Sequence, residues 1–69
     1  MTKEEWLGRA ADEYVRQGSP AESASIEAAE IWTALSDGDR QPAEALRYSP
    51  EEVVREGIEG ARESERPGT

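Results

Sequence analysis

The sequence predicts an all-α fold, a small three-helix bundle, and three observations carry that expectation. Helix-start signals occur three times, at Thr2 with Glu5, at Ser19-Pro20 with Glu22, and at Ser49-Pro50 with Glu52. Each pairs a capping hydroxyl with a glutamate three residues on, an arrangement that satisfies two otherwise unbonded backbone amides. Apolar residues then recur every three or four positions, which gathers them on one face at about 100° per residue. Gly18 and Gly38 close the first two segments, where the left-handed backbone that ends a helix is least costly in glycine. Mean hydropathy of −0.89 with 35% charged residues approaches the composition of disordered chains. The agreement of starts, periodicity and stops favours a defined fold instead.

Helix one is expected over about residues 3–17. Trp6, Leu7, Ala10, Ala11 and Tyr14 fall on its inner face, and Arg9, Asp12, Glu13 and Arg16 on its solvent face. Only about two residues separate it from the next start, a link that favours an antiparallel αα-hairpin. Helix two, about 20–36, is the segment the chain should be organised around. Pro20 takes its first position, and Ala21, Ala24, Ala28, Ile31, Trp32 and Leu35 make its inner stripe. Pro42 opens a short turn over about 42–47, expected to carry Leu46 and Tyr48 over the open end of the hairpin. Helix three, about 50–62, turns Val53, Val54, Gly57, Ile58 and Ala61 inward. Gly57 and Gly60 read either as points of close backbone approach or as the onset of fraying, and fraying beyond Gly60 is the expectation. Residues 1–62 then form a single helical domain, and 63–69, ESERPGT, a disordered tail.

The residue inventory narrows the function. Cysteine and histidine are absent, which removes thiolate and imidazole metal ligands and the commonest general base. Glu4-Glu5 and Glu51-Glu52 are paired carboxylates, but each pair occupies a first helical turn, where the helix dipole favours acids. Adjacent helical positions also diverge rather than converge on a substrate. Asp37-Gly38-Asp39 lacks the remaining ligands of a calcium loop. Neither enzyme activity, metal nor cofactor is expected. No apolar run approaches the roughly 20 residues of a membrane span and no leader pattern is present, so the expectation is a soluble, cytoplasmic protein. A net charge of −8 argues against direct contact with nucleic acid or an anionic membrane.

Charge is concentrated on helix two and helix three. Residues 19–39 hold five carboxylates and no cation. Glu22, Ile26, Glu30, Thr33 and Asp37 recur at spacings of four, four, three and four, an acidic ridge with a branched apolar residue inside it. The expected partner-binding residues are Glu22, Ile26, Glu27, Glu30, Asp37 and Asp39. Their partner would be a basic protein, a nucleic-acid-binding effector whose groove accepts carboxylates in place of phosphates. Ile26 has two readings: exposed, it anchors an interface; covered, it makes helix two the central helix. Coverage is the expectation, since a middle helix is commonly packed on two sides.

In size, charge and the acidic stretch from Glu22 to Asp39, the chain resembles the small, cysteine-free helical proteins of phages and mobile elements. Some of these are anti-CRISPR or other anti-defence inhibitors. The resemblance is one of kind, matches no motif and transfers no functional residue; it implies a stoichiometric inhibitor. The alternative is an antitoxin-like or assembly module that binds through apolar contacts of Trp6, Tyr48 or the helix-three face, as a homodimer.

Overall fold

Four helices follow one another, α1 (Lys3–Arg16), α2 (Ala21–Leu35), α3 (Pro42–Leu46) and α4 (Pro50–Ser64). They are seen in a computed structural model whose described residues are 1–64, with side chains through Ala61. The all-α class and the short turn after Pro42 are both as expected.

Local chemistry explains most boundaries. Thr2 caps α1, its hydroxyl accepting the Glu5 amide at 3.2 Å. At the other end Gly18, at φ +105°, lets the Ser19 amide reach Tyr14 O and the Gly18 amide reach Val15 O, both at 3.0 Å. These are the two bonds of a Schellman turn. Because Ser19 belongs to that closing turn, it does not cap α2, and the capping box expected there does not form. Pro20, with its fixed φ of −61° and extended ψ of 148°, is the N-cap in its place. The end of α2 departs from expectation in the same way. The left-handed residue after the Ser36 cap is Asp37, at φ 53°, with the Gly38 amide bonding back to Thr33 O at 2.8 Å. Gly38 and Asp39 continue with positive φ. Ser36 holds the turn, donating its hydroxyl to Trp32 O at 2.6 Å and accepting the Asp39 amide at 3.0 Å.

Packing overturns one expectation: α1, not α2, is the middle helix. It packs on α2 and on α4, while α2 and α4 scarcely meet among the described residues. The α1–α2 hairpin closes on an edge-on pair of Trp6 and Trp32, ring centroids 5.5 Å apart, above Ala10, Tyr14, Ala24 and Ala28. The link carrying α3 then returns the chain to the start of α1, so α4 lands on the second flank of α1 and runs parallel to it. Three bridges mark that register, each joining positions 42 apart: the Trp6 indole donates to Tyr48 O at 3.0 Å, Arg9 to Glu51 and Arg55 to Glu13.

Glu13, expected in solvent, is 2% exposed under α4, and Ile26, expected to be covered, is 62% exposed on the unpacked side of α2. The short turn buries Ala45 completely; Leu46 is half-buried, and Tyr48 is 50% exposed and contributes its carbonyl.

Val54 and Pro50 seat α4 on α1, with Ile58 partly buried behind them. Gly57, expected on the inner face, is exposed, as is Ala61. A Cβ at Gly57 or Gly60 would meet nothing within 4 Å, which removes the close-approach reading. The helix nevertheless continues through Gly60 to Ser64. Of the expected tail, Glu63 and Ser64 are therefore helical, and 65–69 lie outside the described residues. The register sets Arg16 level with Ile58, so the last six residues of α4 run past the end of α1 by about 9 Å.

Candidate protein-docking surface

Helix α2 touches the rest of the molecule along one stripe, Ala24, Ala28 and Trp32 with Ile31 and Leu35 beside them. Everything opposite that stripe is open. Glu22, Ile26, Glu30 and Thr33 are all exposed there, and Asp37 continues the row into the turn. The ridge read from the sequence is thus a real surface, with Ile26 between two acids each one turn away.

The remaining expected residues go elsewhere. Glu27 is half-buried on the flank of α2, close enough to α1 for its charge to act on Tyr14. Burial first, and then the negative charges of Glu27 and Glu30, push the Tyr14 hydroxyl above its ordinary pKa. Asp39 turns inward. One of its oxygens accepts the Trp32 indole N–H at 2.8 Å and the other meets Lys3 Nζ at 3.2 Å. These two contacts, the indole bond foremost, hold its carboxyl below the usual range. Lys3 also lies 5.6 Å from the Trp32 ring centroid, so Asp39 is part of the clasp that ends α2.

The distribution of ion pairs sharpens the contrast. Lys3 pairs with Asp39, Arg9 with Glu51, Arg16 and Arg55 with Glu13, and Arg47 with Glu44. None of these uses a carboxylate of α2. Among the described residues, Glu22, Glu30 and Asp37 have neither an ion pair nor a side-chain hydrogen bond. Two hydroxyls of α2 are, by contrast, satisfied within the helix: Ser25 donates to Ala21 O at 3.3 Å and Thr33 to Ala29 O at 2.9 Å.

A second polar centre went unnoticed in the sequence. Glu13, on the α1–α4 seam, accepts from Gln17 Nε2 at 2.8 Å and Arg55 Nε at 3.3 Å on one oxygen; the other is 3.5 Å from Arg16. The Gln17 amide, followed by Arg55, lowers its pKa. One turn away, Arg9 donates twice to Glu51, at 2.6 and 3.0 Å. Burial pushes the Glu51 carboxyl up, but the Arg9 bonds and a backbone amide outweigh it and the net shift is downward. The Glu13–Gln17 and Glu13–Arg16 spacings were visible in the sequence; the partner 42 residues on was not. These centres hold helices together, and all their cations are engaged.

Among the described residues, no three potential metal-ligating side chains converge, and no helix is long and apolar enough to cross a membrane. No family model, curated protein or solved structure matches the chain.

Proposed function

We propose that this protein is a stoichiometric inhibitor that docks the outer face of α2 on a basic, nucleic-acid-binding surface of a partner protein and blocks it, as anti-CRISPR inhibitors do to theirs. The observation that carries the reading is the unneutralised row Glu22, Glu30 and Asp37, exposed around an exposed Ile26 while the observed ion pairs lie elsewhere. Carboxylates left without internal cations are free to steer a basic partner and to pair with it. The fitting residues are Glu22, Ile26, Glu30 and Asp37; Glu27 and Asp39 are committed to the flank and to the clasp.

The alternative assembly module has support in the half-exposed Val15 and Tyr48. It loses Trp6, which is completely buried.

The test is capture on the immobilised chain at about 0.15 M and about 0.5 M salt, alongside a variant carrying Glu22→Arg and Glu30→Arg. The expected result is a basic protein that the native chain retains at low salt, that added nucleic acid displaces, and that the reversed variant loses at least tenfold. Equal retention by a reversed variant of unchanged circular dichroism, or indifference to nucleic acid, refutes the reading.

A further inference from the structure

Charge alone makes the outer face of α2 a poor copy of a nucleic acid. From Glu22 to the turn at Asp37 the row spans about 22 Å and offers three exposed carboxylates that have no ion pair among the described residues. Duplex DNA carries about 13 phosphates over that length. A contact of useful strength on this face therefore needs another source of energy, and the face provides one. Ile26 is the most exposed large apolar side chain among the described residues. Around it stand Ala29, which has no polar side chain, and Ser25 and Thr33, whose hydroxyls already bond to the backbone of α2. The flank of Ile26 made by Ser25, Ala29 and Thr33 can be dehydrated without orphaning a donor, and its side chains are small enough for a second helix to approach to the usual 8–10 Å.

From this we infer that the occupant of the α2 face is a basic amphipathic helix of the partner, whose apolar stripe packs on Ile26, Ala29 and Thr33 while flanking lysines or arginines meet Glu22 and Glu30. The inference rests on the acidic-surface reading above and names what that surface grips. The ridge Glu22–Ile26–Glu30 follows the i±4 row that enters the groove of a facing helix. A second copy of this chain is a poor occupant, because the same face would bring Glu22 and Glu30 against their own counterparts. An anionic membrane is repelled for the same reason. Basic helices are also the elements that many DNA-binding proteins place in the major groove, so covering one blocks the nucleic acid without imitating it phosphate by phosphate.

Two synthetic peptides of equal length and equal lysine content test this. One carries leucine at helical spacing, and the other serine at the same positions. Titration into the full chain, followed by calorimetry, should show the leucine peptide binding about tenfold or more tightly, the order expected for burying one branched aliphatic side chain. Ile26→Ser should erase that advantage with helix content unchanged, and the Glu22→Arg, Glu30→Arg variant should weaken both peptides. Equal affinity for the two peptides, or an advantage that survives Ile26→Ser, overturns the helix-docking inference. In that event, charge-sensitive binding would leave the acidic-surface reading standing, whereas binding indifferent to charge reversal would remove both. Dimerisation of the free chain that Ile26→Ser abolishes would also overturn it, in favour of a second copy.

Discussion

Glu13 keeps its charge beneath α4 because three side chains share it: Gln17 and Arg55 donate to one oxygen, and Arg16 lies beside the other. Removing one partner of a buried charged pair is more damaging than never having built it, since the remaining group is left desolvated. The lowered pKa fixes the direction of the pH effect. The folded carboxyl titrates below its ordinary value of 4.5, so the folded state binds fewer protons than the unfolded one as pH falls. The contribution of Glu13 is complete above about pH 4.5 and is lost as pH drops through the lower folded value. Glu13→Gln should accordingly lower Tm at neutral pH, and the gap between variant and native chain should narrow as pH falls below 4.5. Thermal melts of both proteins across that range decide it, and a gap independent of pH counts against the ion-pair account. The sequence placed Glu13 on a solvent face because helical periodicity assigns an i,i+3 or i,i+4 cluster of charges to water by default. Only the arrival of Arg55 from 42 residues away makes burial affordable.

At the level of the helix, starts and stops were legible wherever one residue had one job. Thr2 caps α1 as read, and Gly18 ends it with both bonds of the expected turn. Ser19 failed as a cap because closing α1 had already claimed it. Asp37 took the left-handed position that Gly38 was expected to fill. Glycine therefore means opposite things at two sites. Gly18→Ala forces a side chain to φ +105° and should cost about 1–2 kcal/mol. Gly57→Ala adds a methyl group that meets no neighbour and should raise stability by about 0.8–1 kcal/mol through helix propensity. Urea denaturation of the two variants checks both signs, and a destabilising Gly57→Ala would reopen the idea of close approach at α4.

For the molecule as a whole, the fold class could be read but the order of packing could not. Amphipathicity says which stripe of a helix is covered, not how many neighbours cover it. The place of α2 in the middle of the chain suggested a helix packed on both sides, yet α1 carries Trp6, Tyr14 and Glu13 across a wider arc and has the two neighbours. Ile26 and Glu13 exchanged environments for that single reason. An arrangement in which α4 leans chiefly on α1 among the described residues, through Val54, Ile58 and two ion-paired rungs, distributes stability unevenly. Native-state hydrogen exchange should find the amides of α4 opening about tenfold or more faster than those of α1 and α2; equal protection would mean that all three long helices open as one unit. The clasp at the end of α2 has a practical corollary. Lys3 is the one lysine of the chain and is held at Asp39 and Trp32. Amine coupling to a sensor chip thus grips the protein only at the start of α1. The midsection of α2 carries no amine, so the acidic face stays clear of the point of attachment.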